Sequence, residues 1–268
     1  MSQFKPLKRF GQNYLQDQNI INKIIEEIDP KEDDLIIEIG PGQGSLTEKL
    51  ISRNPNLIAV EIDNRVKDYL HQRFPSLRLI QKDFLDLDLN DFITKKNNRL
   101  RVLGNIPYNI TSPILFKLFD NNLIIQDAVF MVQLEVAKRM TAKVGSKDYG
   151  ILSVLINYFG NAKLSFKVSP NVFYPKPKVF SAIVHLNFNK NLTDTSFNSL
   201  FKNVVKACFG NRRKTIKNSL GNSIFAAINF NNCGVDLSLR AEQLTQDDFI
   251  KISKFISTNI SYNKLINE

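Results

Sequence analysis

Between Asp34 and Phe188, short apolar runs alternate with amphipathic stretches, and this alternation restricts the possible folds more than any other feature of the 268-residue chain. The apolar runs cover residues 35–39, 57–62, 77–80, 100–106 and 127–133. Most are rich in Ile, Val and Leu with little polar alternation, as expected of parallel strands covered on both faces. The stretches 45–53, 64–73 and 111–121 carry helical spacing. Such βαβαβ order predicts a doubly wound α/β sheet with its ligand crevice at the carboxyl ends of the strands. Ahead of the first strand, Asp17 is positioned to cap a helix over Gln18–Ile28, whose inner face would carry Ile20, Ile21, Ile24, Ile25 and Ile28. Runs at 163–169 and 178–188, separated by the Pro-rich stretch 170–177, predict an antiparallel pair at one sheet edge. The polar tract 187–195 reads as a linker, and helical periodicity without a strong strand signal follows it. The expected organisation is a domain at 1–190 and a small all-helical domain at 191–268.

Charge gives the first functional indication. The chain carries 36 basic and 26 acidic residues, a formal +10. That surplus favours a polyanionic partner, because Lys and Arg displace counterions from phosphates. It is concentrated toward the carboxyl end. No acidic residue occurs from Thr195 to Val235, whereas Lys202, Lys206, Arg212, Arg213, Lys214 and Lys217 all do. One-sign enrichment of this kind points to phosphate contact. A hydrophobic fraction of 43% is sufficient for a buried core. The two cysteines, Cys208 and Cys233, form no CxxC pair and read as reduced, buried residues. His71 and His185 are the only histidines and read as structural, which argues against metal catalysis and against a Ser-His-Asp mechanism. The amino terminus lacks the apolar core of a signal peptide, and no stretch approaches the ~20 apolar residues of a membrane span. The expected location is the cytoplasm.

The first strand of the alternating region ends in Ile36-Ile-Glu-Ile-Gly-Pro-Gly-Gln-Gly44 and leads into a helix. Gly40, Gly42 and Gly44 permit a tight turn and a close backbone approach to a ligand. Glu61 closes the second strand about twenty residues later, where a carboxylate can accept both hydroxyls of a ribose. Asp83, at the end of the third, is placed to meet the exocyclic amine of an adenine. The spacing is Gly-Pro-Gly-Gln-Gly and not the GxGxxG of dinucleotide sites, and Glu38 precedes it. This compressed turn suits a cofactor without a pyrophosphate at the helix amino terminus. S-adenosylmethionine is the expected cofactor.

The most specific signal is Leu103-Gly-Asn-Ile-Pro-Tyr-Asn-Ile110 at the end of the fourth strand. An adenine N6 amine is a poor nucleophile because its lone pair is delocalised into the ring. The Asn105 side-chain oxygen can accept one N6 hydrogen, and the Ile106 carbonyl, held extended by Pro107, can accept the other. Together they would draw the nitrogen toward tetrahedral geometry, while Tyr108 stacks on the base. Phe173, in the loop Phe173-Tyr-Pro-Lys-Pro-Lys-Val179, would close the opposite face of the base or serve as a core anchor. A target adenine in folded RNA must be exposed in a loop or flipped out before it can enter.

With these residues in view, the chain resembles the ribosomal RNA adenine N6,N6-dimethyltransferases, in particular the 16S, kasugamycin-sensitivity branch. Arg9-Phe-Gly-Gln-Asn-Tyr-Leu15 is similar to the family's cofactor-covering motif, which adds Asn13 and Leu15 to the cofactor site. Glu38–Gly44, Glu61, Asp83, Asn105–Tyr108 and Phe173–Ser181 match the later motifs in order. The stretches Phe209–Leu220 and Arg240–Leu244 resemble the 16S-type carboxyl domain more than that of the erythromycin-resistance enzymes, which act on 23S RNA. The resemblance implies a Rossmann-like class I methyltransferase with a mostly parallel seven-stranded sheet, an antiparallel edge hairpin and a helical carboxyl domain. It further implies dimethylation of two adjacent adenines in a hairpin loop near the 3′ end of 16S rRNA, in an immature small subunit; nothing in the sequence requires more than a monomer. A 23S methyltransferase and an assembly factor acting mainly by binding are the competing readings. Three positions depart from the family pattern: Asn13 replaces a usual His, Leu134 a usual Lys and Ile151 a usual Arg.

Overall fold

A computed structural model describes residues 12–93, 99–211 and 213–259. The expectations for Arg9, Phe10, Gly11 and Arg212 fall outside the described residues. Two compact units account for the chain: residues 1–137 with 161–189, and residues 138–160 with 190–268.

The first unit opens with a two-residue strand, β1 (Tyr14–Leu15), and α1 (Gln18–Ile28). Asp17 caps α1 by accepting from the backbone N–H groups of Asn19 and Ile20, and Ile21, Ile24, Ile25 and Ile28 are buried, as the spacing predicts. The alternating elements then follow in order. They are β2 (Leu35–Ile39), α2 (Thr47–Ile51), β3 (Ile58–Glu61), α3 (Lys67–Arg73), β4 (Arg78–Gln81), β5 (Leu100–Asn105), α4 (Thr111–Asp120) and β6 (Ile125–Gln133). Two helices, α5 (Leu134–Met140) and α6 (Ile151–Phe159), precede β7 (Asn161–Val168), the short β8 (Phe173–Tyr174) and β9 (Ser181–Asn187).

The seven-stranded sheet has the order β4-β3-β2-β5-β6-β9-β7. Its first four pairings are parallel, and β9 and β7 complete it antiparallel. This is the doubly wound sheet with an antiparallel edge that the alternation predicts. Strand order reverses beside β2, so the carboxyl ends of β2 and β5 flank the crevice where ligands bind in open sheets of this type. Glycine is needed in β5: a Cβ at Gly104 would lie 2.9 Å from the Ile39 carbonyl of the neighbouring strand.

A separate two-stranded sheet, not anticipated from the periodicity, pairs β1 with β8 antiparallel and sets Tyr14 opposite Tyr174 and Leu15 opposite Phe173. Strands of two residues leave no period to detect.

In the second unit α6 packs with α7 (Thr195–Phe209) and α9 (Gln246–Asn259), and α8 (Ile216–Leu220) packs on α7. Tyr158 of α6 stacks on Phe201 of α7 at 3.9 Å between centroids and donates its hydroxyl to Asn198 Oδ1 at 2.8 Å. Phe209 of α7 stacks on Phe249 of α9 at 5.8 Å. The compact units therefore divide differently from the expected boundary at 190: residues 138–160 belong with the carboxyl-terminal helices. Val154, Leu155 and Tyr158 of α6 are buried, and the stacking and hydrogen-bond partners of Tyr158 lie on α7, far along the chain. Among the described residues, no helix is long and apolar enough to cross a membrane.

Candidate methyl-transfer site

At the carboxyl ends of β2, β3 and β5 lies a cavity of about 280 Å³. Of the expected cofactor residues, Asn13, Leu15, Glu38, Gly40, Gly42, Glu61, Asp83 and Asn105 line it. Ile106, Pro107 and Tyr108 line it as well. Gly44 and Phe173 do not.

The glycine turn explains one of these exceptions. Gly42 and Gly44 both have positive φ, 54° and 78°, a region that side chains strain to enter. A Cβ on Gly42 would stand 3.0 Å from the Tyr14 ring, so its lack of a side chain admits the ring of β1 against the turn. A Cβ on Gly44 would stand 2.4 Å from the Phe74 ring. Gly44 is thus a packing requirement behind the turn, whereas Gly40 and Gly42 face the cavity.

Two carboxylates are buried at this end of the sheet. Glu38 is 1% exposed and accepts from the Thr47 hydroxyl at 2.7 Å. Burial, together with the Glu61 charge, raises its pKa to about 7 despite that bond. Glu61 is 5% exposed and accepts from the backbone N–H groups of Gly42 (3.2 Å) and Asp63 (2.9 Å). Burial raises its pKa, partly offset by those donors. Asp83 uses Oδ1 to cap the turn that follows, accepting from Leu85 N–H at 2.9 Å.

Two parts of the rim escaped the sequence reading. Gln12 donates to Asp63 at 3.0 Å and accepts from the Tyr14 hydroxyl at 3.0 Å. Arg65 grips the same carboxylate, with Nη2 at 2.5 Å, and holds the Asp63 pKa down at about 2. Burial pushes the Tyr14 hydroxyl up to about 12. The segment leading into β1 is thereby latched to the loop after β3. Ile62 is 47% exposed and the Phe84 side chain is buried, and both line the cavity. The signal for Ile62 and Asp63 is their position directly after Glu61. For Phe84 it is the position directly after Asp83.

The decisive contact is long-range. Asn105 Nδ2 donates to the backbone carbonyl of Asn13 at 2.8 Å. This fixes the amide orientation and leaves Oδ1 as the acceptor. Because the Asn13 main chain makes the bond, replacing the usual His there leaves it intact. Tyr108 is tethered separately, its hydroxyl 2.9 Å from Ser181 Oγ at the start of β9. Ile106 N–H donates to the Met131 carbonyl at 3.1 Å, and its side chain is buried. Phe173 takes the core alternative: it is 5% exposed and belongs to the apolar cluster that includes Leu15, Ile21 and Ile183.

A family model described as ribosomal RNA adenine dimethylase matches residues 3–258. The chain belongs to this family. It is a ribosomal RNA adenine dimethyltransferase that uses S-adenosylmethionine. Among its relatives, a ribosomal RNA small subunit methyltransferase A of Chlorobium phaeobacteroides (strain BS1) is 42% identical, covering 92% of each chain. A protein of the same name from Francisella tularensis subsp. novicida (strain U112) is 41% identical over 94% of this chain and 98% of its own. Among solved structures, a dimethyladenosine transferase from Plasmodium falciparum superposes with a TM-score of 0.72 at 26% identity, covering 91% of this chain and 97% of its own. The 23S rRNA methyltransferase ErmE superposes at 0.66 with 26% identity, covering 91% and 100%.

The cavity fits the dimethyltransferase's cofactor. Glu38, Glu61 and Asp83 line it, an environment suited to a ligand that carries positive charge and donates hydrogen bonds.

The basic residues expected to contact RNA lie in the second unit. Lys206 is exposed on α7, Lys217 is exposed on α8, and Arg213 and Lys214 are exposed between those helices. Lys202 is half-buried, and burial followed by the nearby Lys206 charge lowers its pKa.

Proposed function

We propose that this dimethyltransferase is a small-subunit enzyme that converts two adjacent adenines of a hairpin loop near the 3′ end of 16S rRNA to N6,N6-dimethyladenine. It would act as a cytoplasmic monomer on immature small subunits. Two relatives named for small-subunit methylation align over almost the whole chain at 41–42% identity, against 26% for the 23S enzyme. That contrast supports the branch. The exposed cations of the second unit supply the charge that RNA phosphates require.

The single observation carrying the chemistry is the Asn105–Asn13 bond. With Nδ2 committed, Asn105 presents Oδ1 to one N6 hydrogen of the target base, and the Ile106 carbonyl accepts the other. Tyr108 stacks on the ring, its hydroxyl tether to Ser181 keeping the ring plane fixed. Glu61 accepts the ribose hydroxyls of the cofactor and Asp83 its adenine amine. The cofactor supplies an electrophilic methyl on a sulfonium. Asn105 takes up no proton, so it orients the amine while water receives the proton released on transfer. Alignment of the two reactants supplies most of the rate gain.

The test incubates purified protein and labelled cofactor with small and large subunits that both lack the modification, followed by mass spectrometry of each RNA. Two dimethyladenines in one small-subunit hairpin are expected. Label confined to large-subunit RNA would transfer the reading to the 23S branch. Asn105→Ala should lower the transfer rate by about 100-fold or more. If subunits still bound and were released on schedule without methylation, the assembly-factor reading would stand instead.

A further inference from the structure

We propose that the loop from Tyr174 to Phe180 is a stacking platform for unpaired RNA nucleotides that flank the target adenine; this rests on the RNA substrate argued above. Among the described residues, seven large apolar side chains are exposed, and three of them, Tyr174, Val179 and Phe180, fall within this one loop. The others, Ile62, Leu123, Val144 and Ile224, are scattered singly along the chain, which is ordinary for a protein surface. Tyr174 is 51% exposed and Phe180 53%. Grouped exposure of this kind marks an interaction surface.

Alternation along β8 explains why this ring faces outward. Neighbouring residues of a strand point to opposite sides, so burial of Phe173 in the core turns Tyr174 toward solvent. The loop is also held in place. Tyr174 pairs with Tyr14, which lines the cavity. The Phe180 carbonyl accepts from Leu134 N–H at 2.9 Å, and the next residue, Ser181, bonds the Tyr108 hydroxyl. Pro175 and Pro177 stiffen the span between. The backbone that carries both rings is thus fixed relative to the residues that receive the base, which lowers the entropic cost of binding.

Charge selects the occupant. Lys176 and Lys178 are exposed between the rings, and no Asp or Glu occurs from Tyr149 to Thr193. Aromatic faces interleaved with cations, without acids, are the composition of single-strand nucleic-acid grooves. A neutral apolar partner would gain nothing from the lysines.

The experiment measures binding of the full chain to a labelled RNA hairpin with an unpaired adenine-containing loop, with a blunt RNA duplex as control, alongside methylation of small subunits. Replacing both Tyr174 and Phe180 by Ala should weaken hairpin binding roughly 10- to 100-fold and raise KM more than it lowers kcat. Duplex binding, cofactor affinity and the melting temperature should hold. Tyr174→Trp with Phe180→Tyr should restore hairpin affinity, because any aromatic face stacks. Lys176→Ser with Lys178→Ser, which leaves both rings in place, should flatten the salt dependence of binding. Hairpin affinity and KM at wild-type values in the folded alanine variant would overturn the proposal. So would an equal loss on the duplex, or a defect seen only with protein-containing subunits, which would make this a protein-docking surface. Wild-type protein that methylates no ribosomal RNA would instead overturn the substrate reading beneath it.

Discussion

Two carboxylates buried at the carboxyl ends of the parallel sheet, Glu38 and Glu61, are held differently from the charges buried at its amino ends. At the amino ends of β5 and β6, Arg101 is 7% exposed and Asp127 3%. Arg101 binds Asp127 through Nε at 2.8 Å and Nη2 at 2.6 Å, reaches Asp34 at 2.6 Å, and donates to the Ile28 carbonyl at 2.6 Å. His185 bridges Asp127 at 3.0 Å and Glu27 at 2.9 Å. Burial pushes the Asp127 pKa up, but Arg101 and His185 outweigh it and the net shift is downward. Its hydrogen bond to Asp127, strengthened by Glu27, raises the pKa of His185 against the opposing effect of burial. At the carboxyl ends, Glu38 and Glu61 are also buried, but among the described residues their hydrogen bonds come from a hydroxyl and backbone N–H groups and from no basic side chain. Both are shifted upward. A buried charge completed by the protein is structural; one left incomplete awaits a ligand. The paired end holds the sheet together, and the end where Glu38 and Glu61 have no such pairing is the one we propose for the cofactor.

Breaking the paired end should have the largest effect on the fold. Arg101→Ala strands Asp127 in the interior and is expected to lower unfolding stability by about 3–5 kcal/mol in denaturant titrations, without changing the cofactor affinity of the folded fraction. A loss below about 1 kcal/mol would mean that water already screens the network. At the other end, Glu61→Gln should weaken cofactor binding by about 1–3 kcal/mol in calorimetry while stability holds, since Glu61 forms no salt bridge among the described residues. Equal damage to stability and affinity would erase the distinction between the two ends.

The smallest effect is on pH dependence. A carboxyl whose pKa rises from 4.5 in the unfolded chain to about 7 when folded stabilises the protein fully below the lower value. That contribution is lost as pH climbs through the upper one. Glu38→Gln should therefore reduce the decline in denaturant midpoint between these two values and leave the cofactor-free protein more stable at pH 8. An unchanged slope would place the proton elsewhere.

The parallel sheet, the glycine turn and the order of the motifs were legible before folding, because each is written in local periodicity or in residues whose backbone preferences act over a few positions. The cap at Asp17 and the buried face of α1 were legible for the same reason. Tertiary structure alone decided that Gly44 is reserved for Phe74 and that Phe173 turns inward while Tyr174 faces solvent. It also joined residues 138–160 to the later helices, and brought the Asn13 carbonyl to an amide 92 residues away in sequence. These outcomes depend on which surfaces meet after the chain has closed on itself. A hydrogen bond between residues so far apart leaves no local period, so nothing near either residue announces the other.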